Sequence, residues 1–178
     1  MLVKKLALSA AMLVLVVVVV VPALAQTPPP EGVQSFSGLE KYHSEEPVPY
    51  SQIPPVGGPH DPVWQNCGFY DTPVRDENAV HSLEHGAVWI TYSPDLPTDQ
   101  VEVLRALANS RTHVLVSPYP DLPAWVVASA WGEQLWLEDD YDSRMFTAWL
   151  DEFVSAFEQG PQSPEPGAPC SGGVGTPL

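Results

Sequence analysis

The sequence predicts an α+β domain: a small sheet with two amphipathic helices on one face, framed by proline-rich irregular segments at both ends. Three observations carry this. Uncharged, β-branched and aromatic runs at residues 87–92 and 125–131 read as buried strands. Apolar residues recur at helical spacing from Val101 to Ala108 and from Met145 to Phe157. Proline crowds the stretches before Asn66 and after Gly160, where it removes donors and fixes φ, so long regular elements are not expected there.

At the start, Lys4 and Lys5 precede an apolar run over 6–22 that includes six consecutive valines, and Ala23-Leu24-Ala25 forms an A-x-A site. Residues 1–25 therefore read as a secretory signal peptide, cut to leave Gln26 at the new terminus. The alternative is an uncleaved N-terminal anchor, since the run is near the lower limit for spanning a bilayer. Pro22 and the small residues after it favour cleavage, and either outcome puts the globular part outside the cytoplasm. No cysteine lies near the cut, which argues against a lipid anchor. Residues 26–178 keep all 22 acidic side chains and five of the seven basic ones, a formal charge of −17. No basic patch exists to displace counterions from phosphates. Nucleic acid is excluded as a partner, and so is substantial membrane contact once the signal is cut. A metal ion or another envelope protein remains.

Residues 26–56 form a proline-rich leader and strap; aromatic side chains from Tyr42 onward suggest that it lies over the domain. Residues 57–160 are the α+β domain. Its first strand, 87–92, ends at Ser93-Pro94-Asp95-Leu96-Pro97, and Thr98 is placed to cap a helix with Val101, Leu104, Leu107 and Ala108 on one stripe. A strand over 113–116, a turn over 117–123 and a strand over 125–131 follow, then a turn at Gly132-Glu133 and a hairpin partner over 134–137. Asp142 can cap the last helix, whose Met145, Phe146, Trp149, Leu150, Phe153, Val154 and Phe157 share a face. The order is β-α-β-β-β-α. The strand order is open, with thioredoxin-like and ferredoxin-like arrangements both possible.

Residues 161–178 form a proline- and glycine-rich tail that cannot build a core. The two cysteines of the chain, Cys67 and Cys170, are expected to form a disulfide in an oxidising compartment. A loop of this size gives roughly 4–5 kcal/mol on the chain-entropy account. Their distance apart argues against a thioredoxin-like dithiol; a shared metal is the other use of the pair.

The chemistry concentrates in Ala79-Val80-His81-Ser82-Leu83-Glu84-His85-Gly86. His81, Glu84 and His85 match H-x-x-E-H, in which inverted zincins use a helix to put two histidines on one zinc and a glutamate as base. Gly86 and the strand after it leave room for one helical turn only, and no long helix is evident to carry the motif. If the chain were a hydrolase, His81 and His85 would ligate zinc and Glu84 would activate water. A broader metal site draws on His60, His81, His85 and Met145, with Cys67 and His113 as further donors. Imidazoles with a thioether suit copper, and imidazoles with a carboxylate suit zinc. Asp61 is placed to orient the His60 ring. The opposing reading makes these histidines structural, bonded to the proline-rich straps. Ser82 beside His81 has neither a nucleophile elbow nor an orienting acid, and Gly172-Gly173-Val174-Gly175 lacks the lysine and helix of a phosphate loop. Trp89, Trp131 and Trp149 read as core, whereas Trp64, Tyr50 and Tyr119 are placed to line a groove for a peptide or glycan.

Cys67-Gly68-Phe69-Tyr70, Glu77 through Gly86, Ser129-Ala130-Trp131-Gly132 and the tail Pro164 through Cys170 together resemble the bacterial family DUF3105 over roughly residues 57–176. The resemblance implies a secreted or membrane-anchored envelope protein and draws attention to His81, Glu84 and His85, but implies no activity. Two functions follow from the residues. One is an extracytoplasmic protein binding copper or zinc; the other is a non-catalytic envelope interaction domain with structural histidines.

Overall fold

The structure, a computed structural model, describes residues 30–138 and 143–178; the signal peptide expected at 1–25 and the Asp142 cap lie outside the described residues. In chain order the elements are β1 (Gln34–Ser35), β2 (Gly68–Phe69), α1 (Asp76–Glu84), β3 (Val88–Tyr92), α2 (Thr98–Ser110), β4 (Val114–Pro118), β5 (Val126–Ala130), β6 (Glu133–Leu137) and α3 (Ser143–Phe157). The strands make one mixed sheet in the order β1-β6-β5-β3-β4-β2. β3 runs parallel to β4 and β4 parallel to β2, while β3–β5, β5–β6 and β1–β6 are antiparallel. The fold is α+β.

Strand residues alternate between two covered faces, as a period of two requires. Val88, Ile90, Val114, Val116, Val126, Ala128, Leu135 and Leu137 turn toward Leu104 and Ala108 of α2 and toward Phe146, Leu150, Phe153 and Val154 of α3. This is the face with two amphipathic helices that the apolar spacing predicts. Trp89 and Leu115 turn the other way, toward Ala79, Val80 and Leu83 of α1 and toward Trp131. Further along, that second face mixes Val127 with buried polar side chains, and the strap meets it at Gln134. Gln134 donates to the Pro54 carbonyl and to the Ser129 hydroxyl, and accepts from Gln52 and Trp136.

Several local expectations need correction. α1 is a full nine-residue helix where one turn was expected, and it lies against the face opposite α2 and α3. Its apolar stripe is short, Ala79, Val80 and Leu83 only, and Glu77, Asn78, His81, Ser82 and Glu84 are buried beside it. Thr98 is the first helical residue, not the cap; Pro97 takes the cap position without a side-chain bond. Trp131-Gly132 makes the hairpin turn, and Glu133 already belongs to β6. The two-residue edge strands β1 and β2 are too short to show a pattern in sequence.

The end of α1 is set by Gly86. The Ala87 N–H donates to the Ser82 carbonyl and the Gly86 N–H to the Leu83 carbonyl, the paired bonds of a Schellman stop. Gly86 sits at φ 93°, and a Cβ there would come within 2.9 Å of the Gln159 backbone. Gly86→Ala is expected to cost about 1–2 kcal/mol from the left-handed conformation alone, with the Gln159 clash added, read as a lowered urea midpoint.

Candidate metal centre

The strap, which continues as irregular chain through residues 57–66, builds the site together with helix α1. Backbone bonds hold His43 and His60 side by side on the strap: the Ser44 N–H donates to the His60 carbonyl at 2.7 Å, and the His60 N–H to the Tyr42 carbonyl at 3.2 Å. The turn before His60 is pinned by the Tyr50 hydroxyl, which donates to the Pro59 carbonyl at 2.6 Å. The first turn of α1 anchors the strap through Glu77, whose carboxylate accepts from the Val48 N–H. Arg75 then ties Glu77 to Asp61, at 2.9 and 2.7 Å. One turn on, His81 and Glu84 are three residues apart and share the helix face that meets these histidines.

The result is a convergence on one carboxylate oxygen. Glu84 Oε2 lies 2.9 Å from His60 Nε2, 3.9 Å from His43 Nε2 and 4.0 Å from His81 Nε2. One donor atom from each of these four residues lies within 4.8 Å of all the others. An ion with bonds of about 2.0–2.1 Å holds tetrahedral ligands roughly 3.3 Å apart, so small side-chain adjustments close this set on a metal. His60, His81 and Glu84 are buried, whereas the His43 side chain is 53% exposed and forms the solvent edge.

Hydrogen bonds decide which ring nitrogen is free. His60 Nδ1 donates to the Gly58 carbonyl at 2.8 Å and His81 Nδ1 to the Asp61 carbonyl at 2.7 Å. A carbonyl only accepts, so each Nδ1 carries a proton and each Nε2 is the nitrogen able to ligate. Asp61 thus orients His81 through its backbone, while its carboxylate serves Arg75. Burial pushes the His81 imidazole down to about 4; the Asp61 bond opposes this, and His85, His60 and His43 add to it. His81 is therefore neutral near pH 7. The contact between His60 Nε2 and Glu84 Oε2 carries a further requirement. Two lone pairs cannot face each other at 2.9 Å, so a proton must lie between them, or a metal cation in its place.

The other expected ligands lie elsewhere. His85 follows the helix, but its Nδ1 donates to the Pro169 carbonyl at 2.7 Å and its Nε2 lies 3.9 Å from Glu165, outside the four-donor set. Met145 is 46% exposed on α3, which packs on the opposite face of the sheet. His113 sits just before β4, its Nε2 bonded to the Ala168 carbonyl. Cys67 and Cys170 are joined in a disulfide, so neither offers a thiolate. Ser82 is fully buried and donates to the Gln65 carbonyl, a structural bond. Trp64 leans on the His81 and His85 rings, at 5.7 and 4.9 Å between centroids. The residue that sequence reading passed over is His43. Its only signal was a histidine among the aromatic residues of the strap.

An acid test follows for the protein without added metal. An unfolded histidine titrates near 6.5, whereas folded His81 resists protonation until about pH 4. Between these values the unfolded chain binds the extra proton, so stability present above pH 6.5 is lost as pH falls toward 4. Urea midpoints at pH 7 and 4.5 should show this loss. His81→Asn, which keeps a donor for the Asp61 carbonyl, should make it smaller.

Among the described residues no helix is long and apolar enough to cross a membrane. Searches of curated proteins and of solved structures found no match. A family model described as "Protein of unknown function (DUF3105)" matches residues 42–172, a span that takes in His43 on the strap, all of α1 and Cys170 on the tail. The chain belongs to the DUF3105 family.

Proposed function

We propose that this is an extracytoplasmic metal-binding protein that holds one divalent transition-metal ion, zinc in the first place, on His43, His60, His81 and Glu84. The observation that carries the reading is the convergence of three imidazole Nε2 atoms on one buried carboxylate oxygen. Metal-bound histidines usually donate their second ring nitrogen to a carbonyl or carboxylate. His60 and His81 already do so.

The donor chemistry favours zinc over cuprous copper. Three nitrogens and one carboxylate oxygen are borderline-to-hard ligands, and Met145, the thioether that would have suited copper(I), is on the far side of the sheet. Cupric copper should compete, since such sites bind it more tightly than zinc. Four protein donors resemble a closed, holding site more than a catalytic one, which keeps a position for water. The hydrolase reading needs both histidines of the H-x-x-E-H string on one ion and a glutamate free to act on water. Here Glu84 is within the donor set and His85 is outside it. A disulfide between Cys67 and Cys170 fits an oxidising compartment.

Equilibrium dialysis of the full chain against zinc should give a tight equivalent and a raised Tm, because an ion bound only by the folded state stabilises it. Outer-shell partners alone are worth about 10–100-fold in affinity, so Glu84→Gln, which removes a ligand, should weaken binding by at least about 100-fold. Zinc must also displace the proton between His60 and Glu84. The calorimetric heat should therefore vary with the ionisation enthalpy of the buffer. If no stoichiometric zinc or copper is retained, the histidines are structural and the chain is a disulfide-braced interaction domain.

A further inference from the structure

We propose that His85 and Glu165 form a second, weaker zinc position beside the first. The inference rests on the metal-binding reading above and assigns His85 a separate role.

His85 repeats the local chemistry of His60. Its ring is buried, its Nδ1 proton is committed to a backbone carbonyl, Pro169, and its Nε2 faces a glutamate Oε2, that of Glu165, at 3.9 Å. Among the described residues that Nε2 makes no hydrogen bond. The gap is too long for a hydrogen bond and close to the spacing of two ligands on one ion, roughly 3.3 Å. The Glu165 side chain is 61% exposed, which leaves the remaining coordination positions to water.

The pair is also held in place. The Glu165 N–H donates to the carbonyl of Glu84, the central ligand of the first site. Pro169 directly precedes Cys170, whose disulfide to Cys67 fixes that end of the loop. The His81 ring adjoins both histidines, 4.9 Å from the His60 centroid and 4.6 Å from that of His85. An ion held weakly at the exposed carboxylate therefore lies one imidazole away from the buried set. Two protein donors against four make the outer position the weaker and faster-exchanging one.

Zinc isotherms of the oxidised full chain test this. The wild type should show a tight and a weaker class of site. Glu165→Gln, an exposed change that leaves the fold intact, and His85→Asn, which keeps a donor for Pro169, should each weaken the second class by roughly tenfold or more while sparing the first. Glu84→Gln should do the reverse. Glu102→Gln, at a similarly exposed carboxylate on α2, controls for loose binding to an acidic surface and should change neither. A single tight equivalent lost in Glu84→Gln, or a weaker class that Glu165→Gln leaves unmoved, overturns the second position and keeps the first. No zinc in the wild type overturns both.

Discussion

A carboxylate almost removed from water, with an imidazole nitrogen 2.9 Å from one of its oxygens, is the constraint on which the rest of this structure depends. Burying an ionised glutamate costs several kcal/mol unless a positive partner compensates it. At Glu84 that partner is a proton or a metal ion shared with His60, and every segment nearby serves to hold it there. α1 presents the carboxylate, the strap brings His43 and His60 over it, and the tail closes against the helix end through the Glu165 N–H.

The same constraint explains why α1 is so polar and yet buried. The strap and the tail have few ladder partners for their backbone groups, and buried carbonyls must find donors. α1 supplies them from its side chains. Asn78 donates to the Val63 carbonyl, His81 to Asp61, Ser82 to Gln65 and, just past the helix end, His85 to Pro169. A structural role and a ligating role are therefore not rival uses of His81. One ring nitrogen fastens the strap, and that bond is what leaves the other nitrogen unprotonated and aimed at Glu84. The two readings of the histidines differ only in whether a proton or a metal occupies the centre.

The disulfide and the sheet divide the remaining work. The larger apolar core, between the sheet and α2 with α3, is built mainly from strand and helix residues, joined by Leu96 from the turn between β3 and α2. The second face holds a smaller apolar cluster around Trp89, Leu115 and Leu83, with polar contacts beyond it. It is on this face that the irregular ends are fastened. Cys67 adjoins β2 and Cys170 adjoins Pro169, so the covalent tie reaches from the sheet edge to the segment against His85. Loops are where sites are commonly built, provided that a rigid scaffold positions them.

The sequence by itself determined the α+β class, the four longer strands, the amphipathic α2 and α3 and the partnership of Cys67 with Cys170. Each leaves a local signal: a charge-free run, a 3.6-residue stripe, or the only two cysteines in the chain. It also marked His60, His81 and Glu84 as capable of metal chemistry. Only the tertiary structure decided that α1 is a full helix, because its apolar stripe is limited to Ala79, Val80 and Leu83 among buried polar residues, too short to mark nine helical residues. Only the tertiary structure brought His43 into the centre and set His85 and Met145 apart from it. Those placements depend on where an irregular strap crosses a helix and on which carbonyls its backbone offers. Such contacts join residues far apart in the chain and leave no periodic trace within it.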